Sequence, residues 1–408
     1  MNWKLVRIID SIIGIPLIRL ISLFLSFRNR RSGQSATIPP KKILLVKFWG
    51  IGNIFMLLPS IQALRNTFPE ATIDFLTLEN NREALNMLGV VDRITAIDTG
   101  SIFRFLLTWQ AAAGTLAAER YDLAIDFEQF ARFAALVTFH SGASRTIGFS
   151  TSGQHRHHLF SDPVPYDDTV HITRTFYSLT EQAGVQKPFT PFSSLSAFEF
   201  LNTKGRCVLD SHGIPSSSPL MILHIGTSRN FRERRWPPQR YAELAELLAE
   251  RHGFRIILTG LPEEAHLTRK TRQCMKSAGM VHDLGGRLTF ADYFALIALA
   301  DIVISADTSA IHMASAVNTP VIGLYGPNTP RLYGPWGENG LSLYAGFSCS
   351  PCITNYNAKD NICRHPDGRG ACMQALSVEM VFNTIEEHYL LPNAPWLLNK
   401  LKGSAQCA

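Results

Sequence analysis

Residues 300–327 read ADIVISADTSAIHMASAVNTPVIGLYGP. Two apolar runs, DIVISAD (301–307) and PVIGLYG (320–326), bracket a segment that opens on Asp307-Thr308-Ser309-Ala310-Ile311-His312. Near-continuous apolar runs belong to strands buried on both faces of a parallel sheet. Strand, helix and strand in this order predict a βαβ unit. The Asp-Thr-Ser turn then sits where the first strand ends and the helix begins. Thr308 and Ser309 offer hydroxyls and backbone donors at a helix start, a place that favours anions. Asp307 caps the helix or orients a sugar hydroxyl. His312 follows one helical turn on, as a ligand contact or as a structural histidine.

The same alternation runs upstream. PLMILHIG (219–226) and FRIILTG (254–260) read as strands, each followed by a helix-period segment, 239–251 and 263–278. An earlier cycle starts at KKILLVKFWG (41–50), with a strand over 43–48 and a helix over 54–68. ATIDFLTL (71–78), RITAID (93–98), YDLAIDF (121–127) and SRTIGF (144–149) continue it as strands. Residues 187–219 are rich in Pro, Ser and Phe and read as a linker with its flanks. The expectation is an α/β chain of two Rossmann-like, doubly wound domains, residues 41–190 and 218–391. Such sheets bind ligands beyond the carboxyl ends of their strands, so a cleft between the domains is the default site.

Charge sets a third region apart. The chain has 408 residues, 39 Lys+Arg and 33 Asp+Glu, a formal net charge of +6. Lys4, Arg7, Arg19, Arg28, Arg30 and Arg31 against Asp10 place +5 of it in residues 1–31. The remaining 377 residues carry +1, which argues against a basic nucleic-acid-binding body. A content of 46% hydrophobic and 18% charged residues excludes a mostly disordered chain. Within residues 11–27, SIIGIPLIRLISLFLSF, Arg19 interrupts the apolar run and no A-x-A cleavage pattern follows. A spanning helix and a signal peptide are therefore both disfavoured. An amphipathic helix lying on an anionic membrane surface is the favoured reading, and a helix docked on the protein's own body is the alternative.

Two further strand-end motifs carry chemistry. Gly50-Ile51-Gly52-Asn53 lets a ligand approach the backbone at a helix start, although Asn53 also serves simply as an N-cap. Leu223-His224-Ile225-Gly226-Thr227-Ser228 is followed by Arg232, Arg234, Arg235 and Trp236. Arg clusters beside backbone donors suit a diphosphate, against the plainer reading of a solvated loop with a packed Trp. Four of seven cysteines, Cys349, Cys352, Cys363 and Cys372, fall in the loop 349–372 with spacing C-x2-C-x10-C-x8-C. A structural zinc there and a loop of reduced, packed thiols are both open. Disulfides are disfavoured for a cytosolic domain.

Taken in order and spacing, these motifs resemble glycosyltransferase family 9, the heptosyltransferases of lipopolysaccharide core synthesis, over about residues 41–385. The supporting pieces are KILLVKFWGIGNIFMLLPSIQALRNTFPEATIDFLT, YDLAIDFEQF, RTIGF, LHIGTSRNFRERRWPPQRYAELAELL, ILTGLPEE and the 300–327 segment. The resemblance implies a GT-B fold, two Rossmann-like domains facing across a cleft. The N-terminal domain would bind a lipid-linked saccharide acceptor at Gly50 and Gly52, and the C-terminal domain a nucleotide sugar such as ADP-heptose. It implies that Thr227, Ser228, Arg234 and the backbone of Thr308 and Ser309 meet the diphosphate. Glu263 or Glu264 would face the nucleoside, with Asp307 and His312 near the donor sugar and phosphates. The transfer would invert the anomeric centre without a cofactor, on the cytoplasmic face of the membrane. The chain departs from the family pattern at two positions: Asn53 stands where members carry an Asp base, and Ser309 replaces a glycine. Three arrangements follow: Glu128 supplies the base, Asn53 positions the acceptor while proton transfer comes late, or the chain is a degenerate membrane-bound saccharide-binding protein. A nucleotide-sugar epimerase is the alternative enzyme class. A dehydrogenase is disfavoured because Gly50-Ile51-Gly52 does not continue as G-x-G-x-x-G.

Overall fold

The structure, a computed structural model, describes residues 10, 12–27, 39–191, 198–227, 232–276, 279–356 and 362–391. It divides into two units, residues 1–193 and 194–408. The first contains helix α1 (Gly14–Phe27), β1 (Lys42–Val46), α2 (Ile51–Met56), α3 (Leu58–Thr67), β2 (Thr72–Leu78), α4 (Glu79–Leu88) and β3 (Arg93–Ile97). It continues with α5 (Ile102–Glu119), β4 (Leu123–Asp126), α6 (Arg132–His140), β5 (Arg145–Ser150), β6 (Asp162–Pro165) and α7 (Ile172–Ala183). The second contains α8 (Phe198–Ser211), β7 (Leu220–His224), α9 (Pro238–His252), β8 (Arg255–Thr259), α10 (Ala265–Gln273), β9 (Val281–Asp283) and α11 (Phe290–Leu299). Then follow β10 (Ile302–Ala306), α12 (Ser309–Ala316), β11 (Val321–Tyr325), α13 (Pro330–Tyr333), β12 (Gly340–Tyr344), α14 (Ala371–Ala375) and α15 (Val378–Ile385).

Each unit holds a six-stranded sheet, ordered β3-β2-β1-β4-β5-β6 in the first and β12-β11-β10-β7-β8-β9 in the second. Counted from its own first strand, each sheet has the Rossmann order, and every neighbouring pair is parallel. The order reverses between β1 and β4, and again between β7 and β10. Strand β10 buries all five residues, as its unbroken apolar run requires of a central parallel strand.

The core of the second unit joins Leu223, Trp236, Tyr241, Ile256 and Ile304 to Phe382 and Ile385 of α15. In the first unit, Leu44, Val46, Phe48, Leu76 and Ala124 meet Ala112 and Leu116 of α5.

The elements depart from the sequence reading in four places. The helix expected over 54–68 is two helices broken at Leu57, because Pro59 near the start of α3 has no N–H to continue the ladder. Part of the expected linker 187–219 is helix α8, packed on α11 so closely that a Cβ at Gly205 would lie 2.7 Å from Ala295 O. Strands β6, β9 and β12 add edges that the motifs did not mark. Finally, α1 docks on the body: Ile18 is fully buried against Ala135, Leu159 and Phe160, while Leu17 and Leu20 point outward. The docked arrangement is therefore present, and so is an outward apolar face. Residues 1–9, 11 and 28–31 of that segment lie outside the described residues. Among the described residues, no helix is long and apolar enough to cross a membrane.

Candidate functional site

In the first unit, the carboxyl end of β1 runs into the loop Lys47-Phe48-Trp49-Gly50, whose backbone groups are held from several sides. Thr77 Oγ1 donates to Lys47 O at 2.6 Å, and Asn81 Nδ2 to Phe48 O at 2.8 Å. Asn53 Nδ2 donates to Trp49 O at 2.9 Å. The Phe48 and Trp49 N–H groups both donate to Glu128 Oε1, at 2.8 and 2.9 Å. Gly50 has φ +92°, and a Cβ there would lie 2.8 Å from Asn53 Nδ2, so only glycine fits the turn. Asn53 is half-buried, and its N–H bonds Gly50 O at 2.9 Å as α2 begins. Gly52 lies in the first turn of α2, also half-buried.

Glu128 comes to this loop, as the sequence reading required, but its carboxylate faces the protein. Its second oxygen lies 2.9 Å from Lys47 Nζ, and both side chains are buried. Beneath it, the Glu128 N–H donates to Asp126 Oδ1 at 2.8 Å. Arg156, fully buried, bonds both Asp126 Oδ2 and Glu128 O. Two cations and two carboxylates thus neutralise one another out of water. Burial dominates Asp126 and pushes its carboxyl up to about 6, in spite of Arg156. Lys47 and Arg156 were not picked out in the sequence; an ionisable residue inside an apolar strand end, KILLVKF, is the signal for the first.

In the second unit, the strand-end motifs converge. Thr227 N–H donates to Glu264 Oε1 at 2.9 Å, and Leu261 N–H to Oε2 at 3.4 Å. Gly226 makes this possible, since a Cβ there would lie 2.0 Å from Glu264 Oε2. Arg235 Nε donates to Thr227 Oγ1 at 3.1 Å, and its guanidinium lies 3.5 Å from Glu264. Arg234 Nη2 donates to Thr227 O at 2.8 Å and Nη1 to Asp307 O at 2.7 Å, tying the loop after β7 to the turn after β10. Asn328 Nδ2 donates to Asp307 Oδ2 at 2.8 Å. Thr308 caps α12, accepting from Ala310 N–H at 3.2 Å and sharing a 2.8 Å hydrogen bond with Ser305 Oγ. Ser309 opens the helix half-buried, and His312 is buried one turn on.

The structure therefore brings Thr227, Arg234, Glu264 and Asp307 into one hydrogen-bonded set, with Thr308 next in the chain and bonded to Ser305 and Ala310. Glu264 is turned inward onto the Thr227 and Leu261 backbone, whereas Glu263 is exposed. Ser228 lies outside the described residues. Trp236 is a core residue, donating its indole N–H to Leu376 O at 2.8 Å. Asn328 and Tyr293 were not assigned from sequence, whereas Arg235 belongs to the Arg cluster read there as a diphosphate site. Tyr293 OH lies 2.8 Å from His224 Nδ1, and burial lowers this histidine to about 4. His224 is accordingly a neutral imidazole at pH 7.

Cys349, Cys352, Cys363 and Cys372 line one small cavity together with Glu233 and His365. Gly370 N–H approaches Cys363 Sγ at 3.5 Å. Burial pushes the Cys372 thiol up to about 11 and raises Cys352, and the neighbouring thiols add to both. None of the six described cysteines is in a disulfide. Among the described residues, no three His, Cys, Asp or Glu side chains are grouped so as to hold a metal ion. The four thiols therefore share a cavity without forming an assembled ligand set.

Comparison with known proteins gives consistent findings. The family model described as "Glycosyltransferase family 9 (heptosyltransferase)" matches residues 109–362. Lipopolysaccharide heptosyltransferase 1 of Salmonella typhimurium is 24% identical over 325 residues, covering 76% of this chain and 94% of that protein. A family 9 glycosyl transferase structure from Veillonella parvula superposes with TM-score 0.70 at 19% identity, covering 85% of this chain and 96% of the other. The Escherichia coli heptosyltransferase solved with ADP-2-deoxy-2-fluoro heptose gives TM-score 0.65 at 21% identity, covering 85% and 99%.

Proposed function

Because the chain belongs to glycosyltransferase family 9, we propose that it moves a sugar, heptose in the first instance, from a nucleoside-diphosphate donor to a lipopolysaccharide core or another lipid-linked glycan. One observation carries the reading. The family-specific 307–312 segment stands at the carboxyl end of β10, beside the switch point of its sheet, tied through Arg234 to the loop after β7. The relatives named heptosyltransferases supply the sugar class.

In the proposed mechanism, Arg234, Arg235, Thr227 and the α12 start hold the diphosphate. Fixed donors and a helix start stabilise charge growing on the leaving phosphate without reorganising. Glu264 holds the phosphate loop in shape by accepting from Thr227 N–H, and Asp307 keeps Arg234 oriented. Glu263, exposed, is left to face the nucleoside, and His312 to approach the sugar side of α12. The acceptor hydroxyl enters at Gly50, Gly52 and Asn53 and attacks the anomeric carbon from the opposite face, with inversion. Asn53 positions this hydroxyl, and its proton passes late, as the bond to the anomeric carbon forms, to water or to the departing nucleoside diphosphate. The support is that Glu128 already spends both carboxylate oxygens on Lys47 and two backbone N–H groups. Glu128 as base is the second reading, favoured by its contact with the same loop. Transfer is proposed to need no cofactor. A structural zinc on Cys349, Cys352, Cys363 and Cys372 is a separate proposal, supported by their shared cavity; elemental analysis finding a metal-free, folded protein removes it.

The N-terminal segment is proposed to hold the enzyme on the inner face of the cytoplasmic membrane, where a lipid-linked acceptor is found. The support is the +5 charge of residues 1–31 and the outward Leu17 and Leu20 of α1. The activity is tested by offering labelled nucleotide sugars and membrane glycolipid. Label in the lipid supports transfer, an epimerised free donor supports an epimerase, and binding without turnover supports a degenerate binder.

A further inference from the structure

Nine of the fifteen exposed large apolar side chains among the described residues lie in two short stretches, 12–23 and 102–107. The first belongs to α1 and its approach. Its docked stripe, Gly14, Ile18 and Ile21, turns inward. At 100° per residue, Leu20 and Leu23 fall on the opposite side of the helix and Leu17 on its flank, and each is exposed.

The second stretch is the start of α5. Ser101 caps this helix by accepting from Arg104 N–H at 3.2 Å. Phe105, Trp109, Ala112 and Leu116 form its inward stripe against the sheet and α6. Ile102, Phe103, Leu106 and Leu107 are all more than half exposed. No charged residue occurs between Arg104 and Glu119, so the outward face stays uncharged past its apolar first turns, with Gln110, Ala111, Gly114 and Thr115 exposed. A solvated helix face normally carries charge there.

Helix α6 relates the two. Phe133 and His140 of α6 touch the aromatic residues Phe105 and Trp109 of α5. Ala135, Leu136 and Phe139, on a different stripe of α6, pack with Ile18 and Ile21 of α1. Helix α6 thus lies between α1 and α5 in one layer of the first unit, and among the described residues its two neighbours each present an exposed apolar face.

We propose that the outward face of α5 is a second membrane-contact element, and that with α1 it forms a two-helix surface seated on an anionic lipid interface. The occupant follows from charge. Arg19 is exposed on α1, and the sequence of residues 1–31 carries +5; Arg104, exposed at the start of α5, is paired with Asp98 at 3.4 Å. An apolar face on a unit whose N-terminal segment carries this excess of cations fits anionic headgroups over acyl chains. A second copy placed against the same face would set two such basic segments together. Two contacts on one layer fix the orientation of the unit on the membrane, which a single helix leaves free to swivel about its axis. The inference rests on the membrane reading of the N-terminal segment and extends it.

The test is vesicle sedimentation of the full chain, using phosphatidylcholine alone or mixed with phosphatidylglycerol. Leu17→Ser/Leu20→Ser removes one outward face and Phe103→Ser/Leu107→Ser the other. All four positions are exposed, so thermal melting and ADP binding should be unchanged. The expected result is a roughly tenfold loss of partitioning into anionic vesicles for either pair, and little binding when both are combined. An α5 variant that partitions like the unsubstituted protein overturns the proposal. If the α1 variant alone loses binding, the N-terminal reading stands without this one. If the unsubstituted protein ignores both vesicle types, the two fall together. A self-association that the α5 substitutions abolish, with vesicle binding intact, assigns the face to a second copy and also overturns it.

Discussion

Replacing Glu128 with Gln separates a base from a brace. The amide keeps an oxygen for the Phe48 and Trp49 N–H groups but removes the charge that faces Lys47 Nζ at 2.9 Å. Lys47 is 1% exposed. Its ammonium would then be buried without its carboxylate partner, a change that costs about 3–5 kcal/mol in proteins. In a unit of this size, 1 kcal/mol moves the melting temperature by roughly 2–4 °C, so a fall of about 6–20 °C is expected. Adding Lys47→Met removes the stranded charge, and the double variant should recover to within about 1–2 kcal/mol of the starting protein. Calorimetry or urea unfolding reads both numbers, and transfer measured well below the transition reads activity separately. A Glu128→Gln protein that melts normally yet transfers no sugar refutes the bracing role and makes Glu128 the base.

Gly226→Ala places a Cβ 2.0 Å from Glu264 Oε2 and should loosen the Thr227 loop; losing a charge-assisted hydrogen bond of about 1.5–3 kcal/mol weakens ADP binding roughly 10- to 100-fold by calorimetry. Arg234→Lys cannot bridge Thr227 O and Asp307 O as a fork does, so ADP affinity should drop about tenfold while melting changes little. His224, lowered to about 4 from 6.5 by burial, stays neutral in the folded state while the unfolded chain takes up a proton. Its contribution is full above pH 6.5 and is lost as pH falls toward 4; an NMR signal assigned to His224 by its loss in His224→Gln that titrates near 6.5 contradicts this.

The alternation of apolar strands and helices, and the turn residues at their carboxyl ends, were legible because each is local. Strand β10 and the helix start appear where the 300–327 segment places them, but the cap is Thr308 rather than Asp307, whose carboxylate accepts from Asn328. What stayed hidden depends on distance or on weak local pattern. Lys47 and Glu128 are 81 positions apart and Asp126 and Arg156 are 30, so no window shows that they share one buried network. Strand β6 contains Pro163 and Pro165, which lack N–H groups and read as loop; the sheet accepts them because β6 is an edge. Strand β12 is half-exposed and lacks the apolar run of its neighbours. Helix α8 carries Gly205, which weakens its helical signal, yet the same glycine lets it approach α11.

The central claim is transfer from a nucleotide sugar to lipid. Purified full chain, ADP-heptose labelled in the sugar, and heptose-free lipopolysaccharide acceptor in vesicles make the direct measurement. The account predicts label in the extracted lipid, joined with inverted anomeric configuration and lost when Arg234 is replaced. Intact ADP-heptose after prolonged incubation, with active family 9 enzyme transferring in a parallel tube, contradicts it.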